Sequence, residues 1–128
     1  MNQTQAALPI VLPNLPQLLT HPDALPWEPF RPGIAIHRLY SSTPPGSAAA
    51  LLRYEPGAIV PWHRHLGYEH IWVLAGSQSD DRGTYTTGTL VINPPDTCHQ
   101  VTSPEGCIVL IIWEKPIQFE GVRSEDQQ

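Results

Sequence analysis

Four side chains in the middle of this chain, His63, His65, Glu69 and His99, are of the types that hold a transition-metal ion. In an extended strand successive side chains alternate faces, so His63 and His65 point one way while Trp62 and Arg64 point the other. Gly67 can turn the chain back. In a returning strand Glu69, Ile71, Val73 and Ala75 then share a face, which adds a carboxylate to the two imidazoles, and His70 points away. The best candidate for a fourth ligand is His99, which follows Asn93-Pro94-Pro95-Asp96, a turn-rich stretch that ends a second apolar strand. A His-x-His pair alone is an ordinary strand feature. The carboxylate at the right spacing and the histidine after a second turn make it a predicted metal site for one divalent ion per chain. Imidazole and carboxylate together suit Zn, Fe(II), Mn or Ni. Four protein ligands can close a tetrahedral zinc shell, which then lacks an exchangeable position; an open or expandable shell is what an enzyme needs.

The elements that must position these groups read as strands. From Gly33 onward, short β-branched or apolar runs are separated by Pro, Gly, Ser and Asp, at 34–40, 47–54, 59–65, 69–76, 84–86, 89–93, 98–102 and 106–114. That rhythm predicts an all-β sandwich or barrel, and nothing between the runs has the length and 3.6-residue period of a core helix. Residues 1–33 repeat Leu-Pro at 8–9, 12–13, 15–16 and 25–26, which predicts an N-terminal arm without continuous helix. Residues 34–116 are the expected barrel, and 117–128 a polar, frayed C-terminal tail. The last long strand, Cys107 to Trp113, is apolar at both parities, so both of its faces need cover. With Trp72 and Leu74 also turned outward, a homodimer is the expected cover, and the arm lying across a monomer the alternative.

The spacing Gly-x5-His-x-His-x3-Glu-x6-Gly, filled by Gly57, His63, His65, Glu69 and Gly76, resembles the first motif of the cupin superfamily. The second cupin motif is met at Gly88, Pro94 and His99, with Asp96 in place of its glycine and Ser103 in place of its asparagine. Glu-x3-Val-Leu-x-Gly at 69–76, Asp81-x-Gly83-x-Tyr85, and Pro95 to Gly106 around His99 resemble the ChrR-like branch, over roughly residues 34–115. The resemblance implies a double-stranded β-helix, the jelly-roll or cupin barrel, with the metal ligands inside it. It favours zinc, while enzymes of the wider superfamily often use Fe(II) or Mn.

The length of 128 residues fits one domain with a core of its own, so the metal is expected to be functional rather than structural. Net charge is −5, with only seven scattered Lys and Arg, which argues against nucleic acid and anionic membrane surfaces. No apolar run approaches a membrane span and no export signal is legible, so a cytoplasmic protein is expected. Cys98 and Cys107 are then expected to be reduced, with Cys98 turned away from the metal. His21 reads as a turn residue and His37 as a structural one; Tyr68 and Tyr85 read as packing or mouth residues. Arg53 and Arg64 are solvated residues within reach of an anion, and Asp80 and Asp81 form a hairpin turn with Gly83.

Two function classes follow. One is a small-molecule metalloenzyme, dioxygenase-like, with Ile71, Val73 and Val101 keeping the ligand cavity dry. The other is a non-catalytic sensory or regulatory module, since the ChrR-like cupin domain occurs fused to a zinc-binding anti-sigma domain. Nothing here matches that partner domain's Cys-x-x-Cys with an upstream His, so a sigma-factor partner is not carried over.

Overall fold

The computed structural model describes residues 8–42 and 46–119; the start of the expected arm and residues 120–128 of the expected tail lie outside the described residues. A one-turn helix α1 (Leu15–Leu18) and a 3-10 turn (Pro22–Ala24) precede ten strands. These are β1 (Glu28–Arg31), β2 (Ile34–Ser41), β3 (Ala48–Tyr54), β4 (Ala58–His65), β5 (Glu69–Asp80), β6 (Gly83–Thr86), β7 (Leu90–Asn93), β8 (Cys98–Ser103), β9 (Cys107–Trp113) and β10 (Ile117–Phe119). The eight expected strands are all present. The sheet extends further than the sequence pattern indicated, because β1 lies within the expected arm and β10 within the expected tail.

All pairings are antiparallel. One sheet runs β1-β2-β3-β9 and continues onto the first part of β5, which also pairs with β7. The other contains the end of β5 with β6, then β8, β4 and β10. The twelve-residue β5 therefore belongs to both sheets and closes them into a curled double layer. Between the layers lie Ile36, Leu52 and Val109 from the first sheet and Val60, Val101 and Ile117 from the second. This is the cupin jelly roll, with the apolar alternation of each strand turned into the gap.

Two bulges re-aim side chains. Opposite β8, Val60 faces Val101 and His63 faces His99, so β4 carries one residue more than its partner between these points. Pro61 sits in that bulge, where its missing N–H leaves no ladder bond to break, and the extra residue lets Val60 and His63 both face inward. On β5 the register slips between Val73 and Ala75. Leu74, expected to point outward and to need cover, is instead buried beside that slip. At the corner itself Gly76 has φ +77°, and an added Cβ would meet Gly106 O at 2.1 Å. No residue but glycine fits there.

Outside the first sheet the arm is strapped over β2 and β3. Arg53 pairs with Asp23 at 2.6 Å, Trp27 stands edge-on to His37, and Trp27 Nε1 donates to Pro22 O at 2.7 Å. The Arg53–Asp23 pair is well exposed and contributes at most about 1 kcal/mol; the apolar cover matters more, since Leu51 beside it is fully buried. Among the described residues nothing covers the rest of that face: Trp72, Leu90, Ile92 and Ile112 are 40%, 57%, 49% and 37% exposed. No helix of the described residues is long and apolar enough to cross a membrane.

The corner can be tested with the two glycines of the first motif. Gly57 also has positive φ, +87°, but its Cβ position is open. Gly57→Ala is expected to cost about 1–2 kcal/mol, the left-handed penalty alone, and Gly76→Ala about 3–5 kcal/mol because backbone must move as well. Urea denaturation of both variants checks this; equal losses would show that the corner has slack.

Candidate metal centre

His63 and His65 lie on β4, and His99 lies directly across from His63 on β8. One ring nitrogen from each of the three lies within 4.8 Å of the others, and all three side chains are buried. The rings pack edge to face, with centroids 5.1 Å apart for His63–His65 and 4.7 Å for each with His99.

Each Nδ1 is committed. His63 Nδ1 donates to Pro61 O at 2.8 Å, the carbonyl that the bulge turns toward the ring. His65 Nδ1 donates to Thr97 O at 2.9 Å, with Thr97 Oγ1 at 3.0 Å, and His99 Nδ1 donates to Asp80 Oδ2 at 2.9 Å. Carbonyl and carboxylate oxygens only accept, so the hydrogen sits on Nδ1 and a lone pair remains on each Nε2. His65 Nε2 and His99 Nε2 are buried and have no hydrogen-bond partner. Glu69 Oε1 approaches His65 Nε2 at 3.1 Å without hydrogen-bond alignment, so two electron-pair donors face each other there. That arrangement fits a divalent cation: unpaired inward lone pairs, a buried carboxylate beside them, and acceptors behind the rings that fix the tautomer.

Glu69 is beside the imidazole trio rather than within the mutually close set. It also accepts from Asn93 Nδ2 at 3.1 Å, its cross-strand partner on β7. Burial raises its pKa, and the neighbouring imidazoles, His65 first and then His63 and His99, outweigh it, so the net direction is below the ordinary carboxylate value. Burial does the opposite to His63, lowering its pKa from 6.5 to about 4, aided by His99 and His65 and opposed by the Pro61 carbonyl. At neutral pH this imidazole is uncharged, the form in which it could bind a metal ion.

The structure thus brings His63, His65, Glu69 and His99 to one place. His70 faces out between Trp72 and Ile112, as alternation requires, and His37 packs against Trp27. Arg53 is engaged by Asp23, and Arg64 by Asp96 and Gln118, all on the surface. Cys98 and Cys107 are both free thiols, and burial pushes Cys107 up to about 11. Asp96 keeps the turn before His99 at φ +73°, in the left-handed region where the motif has glycine.

Sequence reasoning missed the supporting groups. Asp80 does form the hairpin turn, with Arg82 N donating to its Oδ1 at 2.8 Å. It also receives Tyr85 Oη at 2.9 Å on that oxygen and orients His99 with the other. Burial raises the Asp80 pKa and the bonds from His99, Arg82 and Tyr85 outweigh it, so the group is held ionised. Phe119 on β10 stands 5.8 Å from His63, and Ile117-Gln118-Phe119, three residues after a proline, is too short an alternation to mark that strand in the sequence.

The sequence matches the ChrR cupin-like domain family over residues 16–118. The chain belongs to that family. No curated protein matches it. Among solved structures, an acetylacetone dioxygenase from Acinetobacter johnsonii is similar with a TM-score of 0.72 at 17% identity, covering 98% of this chain and 85% of that one. A chain of the complex of Rhodobacter sphaeroides SigE with the anti-sigma ChrR gives 0.65 at 19% identity, covering 84% and 70%. A Ralstonia eutropha JMP134 protein of unknown function with a cupin-like fold gives 0.64 at 21% identity; this chain covers 70% of itself there and spans 60% of the other's length. At these identities the likeness is one of fold.

The His63 pKa has a measurable consequence in metal-free protein. Because the folded value of about 4 lies below the unfolded 6.5, the unfolded chain takes up this proton first as pH falls. Stability is therefore lost between pH 6.5 and about 4, by about 3 kcal/mol for the full shift. Urea midpoints of chelator-treated protein across that window should fall steeply, and those of His63→Gln much less. Parallel slopes would remove His63 as the cause.

Proposed function

We propose that this cupin is a metal-dependent enzyme of dioxygenase type, acting on a small molecule inside the barrel, with His63, His65, His99 and Glu69 holding one Zn or Fe(II) ion. The observation that carries this is the set of three buried imidazoles, each tied at Nδ1, with His63 and His99 bordering the central cavity. A bound ion there would supply a Lewis acid and, as Fe(II), electrons for chemistry with dioxygen. The chain's own residues do the rest. Thr97 and Asp80 orient His65 and His99 and raise their basicity, while Ile71 and Val101 line the cavity and exclude water. Glu69, held by Asn93 outside the imidazole trio, leaves room for a substrate atom. The fold-level likeness to the acetylacetone dioxygenase supports this reading as analogy.

Membership of the ChrR cupin-like family favours a second reading, a metal-stabilised sensory module with a closed shell. One series of measurements separates the two. Elemental analysis is expected to give one ion per chain, a large loss of affinity for His63→Ala or His65→Ala, a loss of about 10–100-fold for Asp80→Asn, and little change for His70→Ala. Nitric oxide added to the Fe(II)-loaded protein should then alter its EPR spectrum. No metal in folded protein would end both readings; a loaded protein indifferent to nitric oxide would leave the module.

The open strip Trp72, Leu90, Ile92 and Ile112 supports a homodimer as well, because water contact there is unfavourable and the arm covers only the β2–β3 end. Sedimentation velocity is expected to show a dimer at micromolar concentration and a monomer for Trp72→Arg. A monomeric wild type would overturn it.

A further inference from the structure

Among the described residues Arg31 is the one arginine that lines the central cavity. It sits at the end of β1, and its guanidinium carbon is 4.3 Å from the centroid of the Phe119 ring and 5.1 Å from that of Phe30. Phe119 in turn lies edge-on to His63, so a single aromatic ring separates the cation from the imidazole cluster. Among the described residues Arg31 has neither an ion-pair nor a hydrogen-bond partner, a lack it shares with Arg38, which does not line the cavity, whereas Arg53, Arg64 and Arg82 are each bonded. Burial lowers its pKa, with Tyr54 opposing, which reflects a charge half withdrawn from water.

Two further donors line the same cavity without partners. Gln78 Nε2 and Trp113 Nε1 are buried and unbonded, and both residues border the space that His63, Glu69 and His99 border. Buried donors are nearly always paired, and an unpaired one is destabilising. Here three donors border one cavity whose wall, apart from His63, Glu69 and His99, is made of Phe30, the Tyr54 phenol and aliphatic side chains. A ligand complementary to it carries a negative charge for the guanidinium, acceptor oxygens for the neutral donors and a short apolar body.

We propose that the barrel binds small organic carboxylates, with Arg31 as the residue that recognises the carboxylate and Gln78 and Trp113 as neighbouring donors. This rests on the reading of the cavity as the substrate site and narrows it from small molecules in general to anions. The planar fork of arginine suits two carboxylate oxygens, which a lysine cannot match. Phe30 and Phe119 hold that fork by its faces, leaving its N–H edge for the ligand.

Benzoate and benzamide, alike in shape and different in charge, are suitable probes, titrated by NMR into wild type, Arg31→Gln and Arg31→Lys, each with zinc and after chelation. Circular dichroism establishes that each variant is folded. Wild type is expected to bind benzoate about tenfold or more tightly than benzamide in both forms. Arg31→Gln should lose that preference and Arg31→Lys keep part of it. Equal affinities in wild type, binding of neither probe, or a preference that survives Arg31→Gln would each overturn the proposal. Zinc content measured on the same samples keeps the two ideas separate. A protein without zinc that still prefers benzoate through Arg31 would overturn the metal centre and uphold the anion site, and a zinc-loaded protein without that preference would do the reverse.

Discussion

Three imidazoles whose rings lie within about 5 Å of one another inside an apolar barrel have almost no water to satisfy their ring nitrogens, so the protein must supply the partners. The fold resolves this by giving every Nδ1 an acceptor: a bulge carbonyl for His63, the chain before β8 for His65, and a carboxylate for His99. The remaining lone pairs converge because all three outward options are already taken. Removing any acceptor would free its ring to change tautomer, and convergence would be lost.

The corner strand β5 serves the same constraint from two sides. It starts with Glu69, which meets His65, and ends with Asp80, which meets His99. One strand can deliver both carboxylates because it crosses from one sheet to the other. The crossing in turn depends on Gly76, where the backbone of Gly106 comes too close for any side chain. The two carboxylates then play different parts. Glu69 is fully enclosed and faces a lone pair, so it reads as a group for a cation; Asp80 accepts N–H and O–H bonds, so it orients a ligand from behind.

Apolar walls around this cluster make the interactions inside it strong, because water is excluded and the local dielectric is low. The same walls make unpaired polar atoms conspicuous. Those at the imidazoles fit a cation, and those on Gln78 and Trp113, with Arg31 at the mouth, fit an anion.

By itself the sequence determined eight of the ten strands, the all-β class and the four residues that the fold brings together. These are carried by short-range rules: alternation puts His63 and His65 on one face, Gly67 allows a return that brings Glu69, and the spacing of the first cupin motif is local. It also determined that His70 faces outward, for the same reason of parity. Tertiary structure alone decided the rest. That His99 stands opposite His63 depends on a register slip at Pro61 in which two strands take part. Asp80 read as a turn residue because its turn is local, whereas its bond to His99 joins residues brought together only when the second sheet forms. The strands β1 and β10 were hidden for a related cause. Three or four residues flanked by proline carry too little pattern to stand out, and their pairing comes from neighbours that accept them at the sheet edges. Arg31 is the clearest case: nothing in Glu28-Pro29-Phe30-Arg31 marks it as more than a surface cation, and only the pairing of β1 against β2 and the approach of Phe119 place it at the cavity.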